Sequence, residues 1–260
     1  LDLNNFDNSI LEIDEFSGMD RQTLKYLNQS VKLLQNFSDK KMRYKVQVDT
    51  MHLITEMEKF LFVSELKRQN MLIDDFYLIT TNKIFGKITL YMLKRRILDM
   101  NIETNESIRA SLLEIVDLIH GLPLNTSYSS CVFFAMFISG CDLIIYDELV
   151  NKRHIILNHL ESLHKNVGME SCKRVTNYMY HCWLTNKPWW ELFVENDIDI
   201  IFTIWTVFFL KKRIILYFTL WNIYEEEGHQ IFDFSFCIKE WISIWINLIK
   251  KDLLDYMCLA

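Results

Sequence analysis

The sequence predicts an all-α protein, an irregular multi-helix bundle or a superhelical array of antiparallel helices. The first observation behind this is the scarcity of turn residues. There are six glycines and two prolines in 260 residues, where ordinary chains carry roughly 12 % of the two together. A sandwich or barrel needs turn signals about every 8–12 positions, and this chain lacks the material for them. The second is composition. Half the residues are hydrophobic and 14 % are aromatic, enough to bury a large core and too apolar for disorder. The third is periodicity, since apolar residues recur at steps of three and four along most of the chain.

The elements follow in order. Residues 1–22 are acidic and irregular and read as a loosely ordered lead-in. Leu24, Leu27, Val31 and Leu34 then mark an amphipathic helix. A second helix is expected over Val46 to Leu66, with Leu53, Met57, Phe60, Leu61 and Leu66 on its apolar face. A third runs from Leu72 to Met100, and Thr80-Thr81-Asn82 is expected to divide it. The fourth carries Ile108, Leu112, Ile115, Val116 and Ile119 on one face. Gly121 offers it a left-handed cap, and Pro123 forbids continuation.

Asn125-Thr126-Ser127 supplies cap candidates for a helix from Tyr128 to Cys141, apolar almost all round and therefore central. Gly140 inside it implies the close approach of a neighbouring helix. Asp147 opens the next helix, with Val150, Ile156, Leu157, Leu160 and Leu163 inward, and Gly168 ends it. Ser171 to Trp183 follows, with Val175, Tyr178, Met179, Cys182 and Trp183 on one face. Pro188 suits the first turn of a short helix bearing Trp189 and Trp190. Adjacent helical residues diverge by about 100°, so one tryptophan is expected in the core and the other at a cavity or partner surface, the alternative being that both are wedged between helices.

No repeat and no Pro/Gly/Ser-rich linker divides the chain, which reads as one domain over 23–210 with a divergent helical tail over 211–260. The most apolar run, Ile198 to Leu210, stops at Lys211-Lys212-Arg213. It is shorter than the ~20 residues a membrane span needs, so no membrane partner is expected. The chain opens on Leu1 rather than Met and is expected to be a piece of something longer.

Charge and motifs exclude several function classes. With 28 Lys+Arg against 34 Asp+Glu the net charge is −6, whereas a domain that grips nucleic acid usually has a basic excess. The basic clusters Lys67-Arg68, Lys94-Arg95-Arg96, Lys211-Lys212-Arg213 and Lys250-Lys251 read as solvated helix flanks. Cysteines at 131, 141, 172, 182, 237 and 258 show no C-x-x-C spacing, so buried free thiols are expected rather than a zinc knuckle. His154, His159 and His164 recur at steps of five, which does not keep them on one helical face. They read as partly exposed surface residues rather than metal ligands. Asp74-Asp75 is similar to the aspartate-rich magnesium motif of terpene synthases, but Leu78 stands where a further carboxylate is needed. An all-α metal-dependent prenyl-type enzyme is therefore one alternative reading, and a helical scaffold or membrane-associated protein another. No G-x-S-x-G, P-loop or G-x-G-x-x-G occurs. The chain is read as non-catalytic, with no cofactor of its own.

One stretch is recognisable. Over residues 112–201 the sequence has a helix ending in Leu122-Pro123, then a buried helix ending in Gly140-Cys141-Asp142. A charged helix starts near Arg153, and Gly168 follows it. The next helix carries Trp183, and the tryptophan step Trp189-Trp190 comes last. This order and spacing resembles the C-terminal regulatory domain of fungal zinc-cluster transcription factors, in the branch regulating arginine, lysine and other nitrogen metabolism. Ile84-Phe85-Gly86 through Leu93 resembles an upstream helix of that domain.

The resemblance implies a non-catalytic regulatory domain of a nuclear, sequence-specific factor. Zinc is expected only in an N-terminal six-cysteine cluster outside this chain, and DNA contact only through that region. Other transcription regulators or a metabolite effector are the partners it implies, and a homodimer of the full-length protein is among those it allows.

Overall fold

A computed structural model describes residues 12–14, 17–68, 76–124, 126–169 and 171–196. The architecture is all-α, as expected. Two very short strands come first, Ile13–Asp14 (β1) and Met19–Asp20 (β2), paired antiparallel with Ile13 opposite Asp20. The helices are Arg21–Phe37 (α1), Arg43–Arg68 (α2), Phe76–Arg96 (α3), Glu106–His120 (α4), Ser127–Cys131 (α5), Phe133–Cys141 (α6), Asp147–Val150 (α7) and Arg153–Ser162 (α8). A π-helical turn, Leu163–Val167, extends α8, and Ser171–Thr185 (α9) and Trp189–Asn196 (α10) complete the order. The chain forms two compact units, 1–189 and 190–260. Of the second, only residues 190–196 are described.

Within the first unit α3 is the hub, packed by α1, α2, α4 and α6. Its Ile84, Ile88 and Leu93 have no exposed surface. One apolar cluster joins Tyr26 of α1 and Val46, Leu53, Met57 and Phe60 of α2 to Leu90 and Leu93 of α3. A second centre forms around α6, which packs on α3, α4, α8 and α9. The expectation that this apolar helix is central holds, since all of its residues but Phe134 are buried.

Several expectations are corrected. The described end of the lead-in is not loose, since β2 packs on α1 and α3. Asp20 is fully buried, caps α1 through the Thr23 N–H, and accepts from Arg68 Nη2 and Asn82 Nδ2, each at 2.8 Å. The α3 helix is not divided at Thr80-Thr81-Asn82. The two threonine hydroxyls donate back to the Phe76 and Tyr77 carbonyls inside the helix. Asn82 turns its amide to Asp20 instead of competing for the backbone.

Gly121 is right-handed (φ −71°), because α4 tightens onto Asp117 and Ile119 before Pro123 stops it. The helix expected over Tyr128 to Cys141 is two, broken at Val132 (φ −86°, ψ 13°), where α5 is tied to the preceding turn. The helix expected from Asp147 is also two, α7 and α8. The second begins at Arg153, whose side chain reaches back to the Leu143 carbonyl.

The Gly168 expectation is met by a left-handed cap at φ 72°. Among the described residues no helix is long and apolar enough to cross a membrane. The run Ile198 to Leu210, Asp74-Asp75, Cys237, Cys258 and the basic clusters of the tail lie outside the described residues.

Candidate functional site

Of the residues singled out, Gly140, Cys141, Asp142, Arg153 and Trp183 meet at the C-terminal end of α6. A helix end leaves its last carbonyls without intrahelical partners, and here the chain supplies side-chain donors. The Trp183 indole N–H, from α9, donates to the Gly140 carbonyl at 2.8 Å. Arg153 Nε, from the first residue of α8, donates to the Leu143 carbonyl at 2.7 Å. The Arg153 guanidinium lies 4.3 Å from the centre of the Trp183 ring, a cation–π contact that fixes both groups against α6.

Gly140 makes this convergence possible. A Cβ there would stand 2.7 Å from Met179 Sδ and 3.1 Å from Ile156 Cγ2. The predicted close approach is real, and it comes from α8 and α9 together.

Asp142 is sealed on the other side of the same helix end, with no exposed surface. Its Oδ2 accepts from Tyr91 Oη at 2.6 Å and from Arg95 Nε at 3.2 Å, both on α3. Arg95 also donates to the Met100 carbonyl. Burial raises the Asp142 carboxyl above the usual range, against the opposing pull of Arg95 and Tyr91. Burial also pushes the Tyr91 phenol well up, helped by the Asp142 charge. The Cys141 thiol is pushed well up by burial and by its neighbour Cys182. Such a thiol is a poor nucleophile. Asp142, Tyr91 and Cys141 are all closed to solvent. The cluster positions α3, α6, α8 and α9 on one another.

The other singled-out residues sit apart from it. Leu122 is buried, and the Pro123 carbonyl accepts from the Thr126 and Ser129 hydroxyls, tying α5 to the turn. Gly168 caps the π-helical turn. Trp189 and Trp190 are both half-buried, so neither is the fully buried core residue expected. The Trp189 ring packs edge-on to Phe137 at 5.8 Å and under Arg96 at 5.9 Å, at the margin of α6 and α3.

Of the three histidines, His154 is exposed, but His159 is buried at 2 % exposure, which corrects the surface reading. Its Nδ1 meets the Ser129 hydroxyl at 3.2 Å. Burial, with His120 nearby, lowers its pKa to about 4. Cys131, Cys141, Cys172 and Cys182 are free thiols, the last three buried. Among the described residues no group of three or more His, Cys, Asp or Glu could hold a metal ion.

Sequence reasoning missed the two buried arginines. Arg68 and Arg95, read as solvated flanks, are 7 % and 8 % exposed and pair with Asp20 and Asp142. The available signal was Tyr91, four residues before Arg95 on the same helical face, inside an otherwise apolar stretch. A cleft of about 560 Å³ opens beside this framework, between α2 and α3. Its floor includes Leu61, Ile79 and Leu90, and its walls carry Lys83 and Lys94 paired with Glu65 and Glu58.

A family model described as "Fungal specific transcription factor domain" matches residues 2–203. No curated protein matches the chain, and no solved structure matches it.

Proposed function

Because the chain belongs to the fungal specific transcription factor domain family, we propose that it is the non-catalytic regulatory domain of a nuclear, sequence-specific factor. The observation that carries this reading is the match across residues 2–203, which spans every described element. The domain restrains or releases a DNA-binding region, a zinc cluster, that lies outside this chain. The Gly140–Cys141–Asp142 order, followed by Arg153 and Trp183, favours the branch of nitrogen and amino-acid regulators. The α2/α3 cleft supports a metabolite effector, being within the size range of small-molecule pockets. The net charge of −6 supports DNA contact only through the other region.

The test is a fusion. The chain is placed between an unrelated DNA-binding domain and an activation domain in a fungal reporter strain. Reporter output at least several-fold below that of the fusion lacking the chain, relieved by Trp183→Ala at equal protein level, is the expected result. Unchanged output, or stoichiometric zinc and about 10³-fold promoter preference in the purified chain, would overturn the reading.

A further inference from the structure

The cleft between α2 and α3 carries its charges at two depths. Lys83, Lys87 and Lys94 lie within about 40° of one another on α3, a row rising roughly 16 Å along the helix, beside an apolar floor of Leu61, Ile79 and Leu90. Each pairs with a glutamate of a neighbouring helix, Lys83 with Glu65 and Lys94 with Glu58, both of α2, and Lys87 with Glu114 of α4. The side chains of Lys83, Lys87 and Lys94 are 27 %, 29 % and 19 % exposed, and those of Glu65, Glu114 and Glu58 are 54 %, 42 % and 51 % exposed. The cations thus sit inside, and the anions stand nearer to solvent.

This difference in depth decides the sign of ligand the cleft favours. A half-exposed carboxylate that gives up its lysine is rehydrated, and little is lost, because ion pairs this exposed contribute little. A lysine that gives up its glutamate to a cationic ligand has less water to turn to and no counter-charge. An incoming anion therefore replaces the glutamates at small cost, whereas an incoming cation strands partly buried ammonium groups. Each ammonium also has three N–H donors, so it reaches a ligand oxygen without wholly releasing its glutamate. The floor sets the rest of the ligand. Gly86 keeps that floor low, since a Cβ there would stand 2.6 Å from Leu61 Cδ2 and Leu61 would have to move. Phe62 and Phe76, both exposed, flank the opening. A volume of about 560 Å³ holds far more than a bare inorganic anion.

We propose that the α2/α3 cleft binds amphipathic organic carboxylates, with the head held by the lysine row of α3 and the apolar tail laid along Leu61, Ile79 and Leu90. This inference rests on the effector reading of the cleft given above and narrows it to one ligand class.

Isothermal titration calorimetry of the full chain tests it, with octanoate, octan-1-ol, octylammonium and the zwitterion 8-aminooctanoate as probes of one chain length. Octanoate is expected to bind about tenfold tighter than octan-1-ol, and more weakly as salt is added. Lys87→Gln with Lys94→Gln is expected to remove that advantage while leaving the binding of octan-1-ol and the helical circular dichroism unchanged. Lys152→Gln, which alters a paired lysine outside the cleft, is expected to leave the advantage intact. Equal binding of the acid and the alcohol overturns the proposal. Tighter binding of octylammonium or of the zwitterion overturns it too, while leaving the cleft an effector site for another class. Octanoate binding indifferent to the double substitution puts the acid elsewhere and also overturns it. Binding of none of the probes overturns the ligand class and the effector reading together.

Discussion

Gly140→Ala adds one methyl where there is no room for it. The new Cβ would lie 2.7 Å from Met179 Sδ and 3.1 Å from Ile156 Cγ2, against an ordinary contact of about 3.5–4.0 Å. Met179 and Ile156 both have no exposed surface, so the thioether has to find another rotamer inside a packed core. Overpacking of this kind costs about 1–3 kcal/mol. Replacing a glycine in the last turn of a helix returns at most about 1 kcal/mol of helix propensity. The net expectation is destabilisation by about 1 kcal/mol for Gly140→Ala and about 3 kcal/mol for Gly140→Leu, where no propensity gain offsets three further carbons.

Urea unfolding followed by circular dichroism measures both, and the alanine variant should melt about 2–4 °C lower. Met179→Ala supplies the control. Alone it leaves a cavity worth about 2–5 kcal/mol. In the Gly140→Ala background that loss should shrink by about 1 kcal/mol, because the new methyl occupies the vacated space. A Gly140→Ala protein more stable than the parent, or a double-mutant cycle additive within about 0.5 kcal/mol, would refute the crossing.

Three further outcomes follow from the same framework. Asp142→Asn removes the buried carboxylate charge that pairs with Arg95 and should destabilise by about 3–5 kcal/mol. Lys94→Ala, which removes a half-exposed pair with Glu58, should lower stability by no more than about 1 kcal/mol, and equal effects in urea titrations would contradict this assignment. His159 is neutral in the folded protein down to about pH 4, while the unfolded chain takes up its proton near 6.5. Stability should therefore fall as pH drops from 6.5 to 4, by about 2 kcal/mol, and His159→Gln should flatten that slope in melts across the range. Trp183→Phe keeps a ring under Arg153 but loses the indole donor to Gly140, and should cost about 1 kcal/mol. Trp183→Ala also removes the ring and should cost more, and chemical unfolding that ranks the two equally would show that the ring carries nothing.

What the sequence disclosed were features written locally. Helix faces, the stop at Pro123 and the helix end at Gly168 all depend on neighbours within a few positions, and Gly140 was legible because a glycine inside an apolar helix wants a packing reason. What it withheld were the long-range polar partners. Arg68 and Arg95 look like any other helix-flank arginine until Asp20, 48 positions earlier, and Asp142, 47 positions later, are folded onto them. The break at Val132 was hidden for a similar reason. Nothing in an unbroken apolar run announces that Ser129 will donate to the Pro123 carbonyl. His159 shows the limit most plainly, since its spacing argued for a surface that α5 then covered.

The fastening of Asp20 to Arg68 and Asn82 bears on where a shortened form of this protein can begin. The amphipathic pattern starts at Leu24, and a protease or an engineer guided by it would cut at about residue 22. Such a cut removes the carboxylate that accepts from both Arg68 of α2 and Asn82 of α3. The start of the packed unit is thus set by a buried carboxylate that ties three helices together, not by the first turn of a helix. Two fragments beginning at residues 12 and 22 would share every helix and differ in whether the α2–α3 pair closes.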